Sequence, residues 1–459
     1  MSEVWENYPL QSLVIKVGSG STPKGGSEAY KAVGTPLIRS MNIVFFGFKR
    51  AGLAYIDAEQ AAQLDNATVK AGDVLLNITG ASIGRVTLAP DEFEGARVNQ
   101  HVCIIRPNEA LDARFLNAYL SSPALQSQIW NDNFGVTRQA LTKQQILDFE
   151  VPVPPRSEQT RIANQFDTLL TRIQACNDRF DAIPALLKRF RQTVYIAATS
   201  GRLTDDWRTR AADDWTHERA ADVCSKVQSG GTPKEGFSAH GVPFLKVYNI
   251  VNQKVAFDYK PQYIESSIHH GSMVKSQTQP GDVLMNIVGP PLGKVAIVPA
   301  DRPSWNINQA ITLFRPSDRI STGWLYCILC SGVNIADIIH ETRGSAGQTN
   351  ISLSQCRDFV FPVPPVAEQT EIVRRVEALF ALAGRIEARC TAARTQAQRL
   401  TPLVLAKAFR GELVPQDPND EPASALLARI GSSNTAVAGK NKRKVPATSK
   451  KRAQTAING

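Results

Sequence analysis

Residues 152–203 read PVPPRSEQTRIANQFDTLLTRIQACNDRFDAIPALLKRFRQTVYIAATSGRL. Residues 362–413 read PVPPVAEQTEIVRRVEALFALAGRIEARCTAARTQAQRLTPLVLAKAFRGEL. In the first stretch one apolar row is Ile162, Leu169, Cys176, Ile183, Phe190 and Ala197, and the other is Phe166, Ile173, Phe180, Leu187 and Val194. The spacing alternates four and three, the seam of a coiled coil. The second stretch repeats it with Ile372, Leu379, Ile386, Ala393, Leu400 and Lys407 against Val376, Ala383, Cys390, Ala397 and Val404. Each begins in an extended Pro-rich lead, because Pro fixes φ and keeps its predecessor out of the helical region. Glu158 and Glu368 fall in the first turn, where the helix dipole favours an acid. Gly201 and Gly411 fall where a left-handed cap is wanted. Two helices of roughly 44 residues and roughly 65 Å are expected. Pro184 and Pro402 are expected to kink or break them. The first seam is bulky and the second small, which favours an internal antiparallel pair.

The duplication extends far beyond the helices. Trp5 and Trp215 open two similar units. GSTPK (20–24) answers GGTPK (230–234), and GDVLLNITGASIGRV (72–86) answers GDVLMNIVGPPLGKV (281–295). VNQHVCIIRP (98–107) answers INQAITLFRP (307–316). Short apolar runs bounded by Gly, Asn and Pro predict strands; ARFLNAYLSSPALQSQIW and TGWLYCILCSGVNIADII carry helical spacing. The fold class is α+β, with mostly antiparallel sheet. The boundaries are 1–150, a helix in 151–210, 211–360, a helix in 361–415, and a basic tail at 416–459. In that tail VPQDPNDEPASALLARI is expected to hold a short helix and residues 431–459 to be disordered.

The chain has 459 residues, 43% hydrophobic, and a net charge of +10. By segment the charge is −2, +4, 0, +3 and +5, so the excess lies in the helices and tail. Both globular segments are near neutral, and only a local arrangement of Lys and Arg can face phosphate. No 18-residue uncharged apolar run occurs and Met1–Val17 lacks a signal-peptide layout, so a cytoplasmic location is expected. Seven scattered cysteines form no disulfide framework. Cys327 and Cys330 sit in an apolar run that reads as a core helix. His269-His270 lacks further ligands at metal spacing and reads as a solvated loop.

No phosphate loop of the GxxxxGK[ST] type and no GxGxxG after a strand is present. No NPPY or DPPY tetrapeptide occurs, and Pro90-Asp91 is followed by no (D/E)xK at a usable distance. The two units share Gly, Pro and apolar residues rather than a catalytic triplet. They diverge at 34–56 and 241–264, where Arg, Lys and Asn mix with aromatics, and at loops 135–142 and 344–352. Arg suits guanine, Asn and Gln suit adenine, and Lys suits phosphate. The DNA-contact candidates are therefore Lys24, Arg39, Asn42, Lys49, Arg50, Arg138 and Gln139 in the first unit. In the second they are Lys234, Lys246, Asn249, Asn252, Lys254, Arg343, Gln348 and Asn350.

Two variable domains, each followed by a PxPPxxEQxxI helix ending near AFxGxL, resemble the specificity subunit of type I restriction–modification systems. PVPPVAEQTEI (362–372) with AFRGEL (408–413) carries the pattern nearly complete; PVPPRSEQTRI (152–162) ends in the weaker AATSGRL (197–203). The resemblance covers residues 1–415. It implies two tandem target-recognition domains, each reading half of a bipartite double-stranded DNA sequence, with the helices setting the spacing. It implies no catalysis and no cofactor in this chain. Its implied partners are two modification subunits that use S-adenosylmethionine and restriction subunits that use ATP and Mg, with no membrane. Weak DNA binding by the chain alone is expected. Two other readings stand beside it: a methyltransferase or nuclease with degenerate motifs, and a coiled-coil repeat scaffold without nucleic acid.

Overall fold

In the computed structural model, which describes residues 5–133, 140–208, 215–341 and 350–430, two long helices run Arg156–Thr199 and Val366–Ala408. They contain 44 and 43 residues. Each continues through its proline, so of the expected kink or break the break does not occur. Pro184 and Pro402 both face solvent. A ring on the outer side costs one N–H bond but leaves the buried stripe in place. Gly201 and Gly411 take the expected left-handed conformation, with φ of 76° and 72°.

The chain divides into two units, Met1–Asp178 with Arg394–Gly459, and Arg179–Ala393. Each unit therefore holds the start of one long helix and the end of the other. In the first, Ile162 shares a core with Ala408, and Phe166 clusters with Leu405 and Val404. In the second, Arg191 pairs with Glu387 and the Tyr195 ring lies 5.0 Å from that of Phe380. Numbers rise on one helix as they fall on the other, so the helices are antiparallel within each unit.

Of the two apolar rows on the first helix, only one is the seam. Phe166, Ile173, Leu187 and Val194 are buried, whereas Cys176 and Phe190 are exposed. On the second, Val376, Ala383 and Ala397 are buried while Ile386 and Leu400 are exposed. Two helices alone can cover a single row. Both rows are buried only near the N-terminal ends, at Ile162 and Phe166 and at Ile372 and Val376, where a domain covers the second side.

The first domain has a four-stranded antiparallel sheet in the order Val14–Ser19, Val102–Pro107, Val74–Asn77, Val86–Leu88. The second repeats it as Cys224–Ser229, Ile311–Pro316, Val283–Asn286, Val295–Ile297. The repeated GDVL motif thus opens a strand that a turn joins to a second, antiparallel strand. Its Asp is the anchor. Asp73 is fully buried and grips Arg106 at 2.6 and 2.8 Å, and Asp282 grips Arg315 at 2.8 Å through both oxygens. The fork geometry satisfies a carboxylate that burial alone would penalise.

A smaller sheet pairs Thr35–Ile38 with Ala54–Ile56 and, in parallel, with Arg97–Val98. Its counterpart pairs Val242–Leu245 with Tyr263–Ile264 and with Trp305–Ile307. The Pro-rich leads are themselves strands: Glu150–Val153 pairs with Glu6–Pro9, and Val360–Val363 with Thr216–Arg219. Cys327 and Cys330 lie in the buried helix Thr322–Ser331, as expected. His269 differs from expectation: it is 4% exposed and bonds Asn306 inside the domain. Residues 423–430 form the expected short helix, which packs on the first domain through Ala423 and Leu427. The tail at 431–459 lies outside the described residues.

Candidate nucleic-acid interface

Each long helix is locked to its own domain by the Gln of its first turn. Gln159 accepts from the Asp112 amide at 2.8 Å and donates to the carbonyls of Ala110 and Pro154, both at 3.0 Å. Gln369 accepts from the Ser321 amide at 2.8 Å and donates to Arg319 and Pro364, both at 2.9 Å. Asp112 and Ser321 in turn cap the helices that follow them. Glu368 is fully buried and accepts from Thr204 Oγ1 at 2.6 Å and Trp215 Nε1 at 3.0 Å. Glu368 is thus a hydrogen-bond hub as well as a dipole partner.

On this frame each domain carries one small β-hairpin, within the stretches where the units diverge. Ile43–Val44 pairs with Gly47–Phe48, and Ile250–Val251 with Lys254–Val255. The tips are two-residue turns, Phe45-Phe46 and Asn252-Gln253. Phe46, Asn252 and Gln253 have φ of 56°, 49° and 60°, the left-handed geometry that such hairpins require. The tips are anchored differently. The Phe46 ring lies 5.1 Å from that of Phe166 on the long helix. Gln253 accepts from the Val295 amide at 2.7 Å, and its carbonyl accepts from the Tyr326 hydroxyl at 2.9 Å.

The base of each hairpin corrects one pair of sequence expectations. Asn42 is fully buried; its oxygen accepts from the Arg39 amide at 3.0 Å and its Nδ2 donates to the Lys49 carbonyl at 2.8 Å. Asn249 is fully buried and does the same with the Lys246 amide at 3.0 Å and the Tyr259 carbonyl at 2.9 Å. Neither amide faces solvent, so both staple the turn and present nothing to a base.

The other candidates lie nearer the surface. Lys24, Lys49, Lys234 and Lys254 are exposed and form no ion pair among the described residues. Arg50 is exposed but paired with Glu92 at 2.7 Å. The Arg39 guanidinium lies 5.1 Å over the Tyr30 ring, and Lys246 Nζ lies 4.4 Å over Phe237. Asn252 is exposed at the hairpin tip; Asn350 is exposed and bridges Val288. Arg138, Gln139, Arg343 and Gln348 lie outside the described residues.

Sequence reasoning passed over Tyr248, Tyr259 and Lys260. The two tyrosine rings are 6.2 Å apart in edge contact, and Lys260 Nζ lies 5.4 Å over Tyr259, which is 55% exposed. The available signal was the aromatic–lysine alternation of FDYKPQY (257–263). Such pairs offer a stacking face beside a cation.

Burial pushes the thiols of Cys103, Cys224, Cys327, Cys330 and Cys356 up to about 12. They are held as thiols, the unreactive form. Among the described residues no group of three His, Cys, Asp or Glu is placed to hold a metal, and no helix is long and apolar enough to cross a membrane.

The family profile for the type I restriction modification DNA specificity domain matches residues 3–184 and again 212–392. The chain is 32% identical over 378 residues to the type I restriction enzyme EcoBI specificity subunit of Escherichia coli, covering 76% of this chain and 77% of that one. To the EcoKI specificity subunit of Escherichia coli strain K12 it is 26% identical over 458 residues, covering 96% and 97%. Among solved structures it superposes on the HsdS subunit from Thermoanaerobacter tengcongensis with a TM-score of 0.55 at 18% identity, covering 90% and 98%. A chain from a study of type I R-M complex assembly and conformational transition gives a TM-score of 0.60, also at 18% identity, covering 90% and 99%.

Proposed function

The chain belongs to the type I restriction modification DNA specificity family, and from that premise we propose that it is the sequence-reading subunit of a methyltransferase–endonuclease complex. Each domain, 1–150 and 211–360, reads one half of a bipartite, asymmetric site on double-stranded DNA. The helices in 151–210 and 361–415 set the distance between the halves, since a helix converts residue count into length at about 1.5 Å each. The chain itself performs no chemistry and holds no cofactor. Two modification subunits carry S-adenosylmethionine, restriction subunits carry ATP and Mg, and the whole works in the cytoplasm.

One observation carries this reading. Two copies of one scaffold, down to the same Gln lock and the same Asp–Arg fork, present hairpins and loops that differ. A duplicated frame with diverged tips is what two half-site readers need. The unpartnered surface lysines and the Tyr248–Tyr259–Lys260 group suit a polyanion with flat bases.

The test is to express the chain with a partner adenine methyltransferase and map modified bases across the host genome. A single bipartite motif is expected. Methylation by the chain without a partner, or modification at no defined motif, contradicts the reading.

A further inference from the structure

One exposed polar loop is the same in both units, although the surfaces around it have diverged. GSTPK and GGTPK place Lys24 and Lys234 at its tip. Both loops are pinned from below. A Cβ on Gly20 would meet the Val98 carbonyl oxygen at 1.7 Å, and one on Gly230 would meet that of Ile307 at 2.1 Å. Only glycine permits this approach. From the side, Thr22 Oγ1 donates to Gln100 Oε1, and Thr232 Oγ1 donates to Gln309 Oε1 at 2.5 Å. The bond fixes each glutamine amide; Gln100 Nε2 keeps one hydrogen beyond its bond to His101 Nε2 at 3.0 Å, and Gln309 Nε2 has no hydrogen-bond partner among the described residues. Lys24 and Lys234 form no ion pair among the described residues. Each loop therefore presents an ammonium two residues along from a threonine whose hydroxyl is tied to an exposed glutamine amide.

The loop also has a fixed place beside the diverged hairpin. Gly20 donates to the Asn99 carbonyl at 3.2 Å, and Asn99 donates to Ile38, next to Arg39, at 3.1 Å. Gly231 donates to Ile307 at 3.1 Å, and Asn308 donates to Leu245, next to Lys246, at 3.0 Å. One turn, 98–100 or 307–309, is thus flanked by an unchanged donor loop and by a changed hairpin.

Building on the DNA-reading role above, we propose that Lys24 with Gln100 and Lys234 with Gln309 are twin phosphate clamps. They hold the DNA backbone identically at both half-sites, while the neighbouring hairpins read the bases. Two readers of different sequences can share only those contacts that carry no sequence information, and backbone contacts are of that kind. Kept in both units beside hairpins that differ, an ammonium and an amide N–H suit the phosphate oxygens that every sequence presents.

The experiment uses the full complex with its modification subunits. Its probes are a duplex carrying the methylated motif and a duplex with both halves scrambled, titrated over a range of salt. Lys24→Ala and Lys234→Ala should each weaken both duplexes by the same factor and lower the log–log salt slope by about 0.9. Gln309→Glu, which trades the donors for a charge of the wrong sign, should do the same, and the methylated motif should stay unchanged in all three. Lys24→Arg should restore the slope. A changed motif, or an unchanged salt slope in a complex whose parent binds its motif, overturns the clamp. A parent complex that does not distinguish the two duplexes overturns the DNA-reading role as well.

Discussion

Trp215 donates its indole N–H to the buried carboxylate of Glu368 at 3.0 Å. The residue that opens the second domain is thereby tied to the first turn of the helix that leaves it. Thr204 donates to the same carboxylate and Arg208 approaches it at 3.6 Å, so the end of the first long helix is tied there too. Glu368→Ala strands these donors and is expected to cost the chain about 3 kcal/mol in urea unfolding. Glu368→Gln keeps one acceptor oxygen and should cost less.

Gln369 makes three bonds to backbone groups, at Ser321, Arg319 and Pro364. Gln369→Ala should cost about 3 kcal/mol at roughly 1 kcal/mol per lost bond. Gln369→Glu should cost more, because a carboxylate would face the carbonyls of Arg319 and Pro364. Urea midpoints of the two variants give the order, and faster hydrogen exchange at 319–321 locates the damage.

Phe166 joins the first hairpin to the long helix, packing on Phe46 and, in the same cluster, on Leu405. Phe166→Ala is expected to destabilise by about 3 kcal/mol, the ordinary cost of a large core truncation. Because it frees the Phe45-Phe46 tip and leaves Asn252-Gln253 untouched, relaxed methylation should appear in one half of the motif only.

Asp420 fixes the segment before the last described helix by accepting from Ser157 at 2.5 Å and Arg161 at 2.6 Å. The Arg161 guanidinium holds its carboxyl below the usual carboxylate range. A lowered value in the folded chain means a stabilisation present above the ordinary value of about 4 and lost as pH falls through the folded one. Hydrogen exchange of 415–430, corrected for its intrinsic rate, should stay constant down to about pH 4 and accelerate below it. Asp420→Asn should remove that acid step.

Much of this architecture was legible in the residues because it is periodic or repeated. The heptads gave the helices, and the 210-residue echo gave two domains and an internal pairing. Three things were not legible. A heptad does not say how many rows a partner can cover, so Phe190 and Ile386 read as seam yet face solvent. Glu368 read as a dipole partner because its neighbours in space, Thr204 and Trp215, are remote in sequence. Asn42 and Asn249 read as adenine donors because the same amide can serve a base or close a turn. Their signal was present: Arg39–Asn42 and Lys246–Asn249 keep one spacing inside otherwise diverged stretches, and a residue that survives divergence there belongs to the frame.

If the two domains read their half-sites independently, exchanging one of them separates their contributions. Residues 1–150 are replaced by the first domain of another specificity subunit of known target, the chain is assembled with its modification subunits, and the methylated motif is read by sequencing. One half of the motif is expected to become the donor's while the other half and the spacing between them are retained. A change in both halves, or a change of spacing with the helices intact, would contradict it.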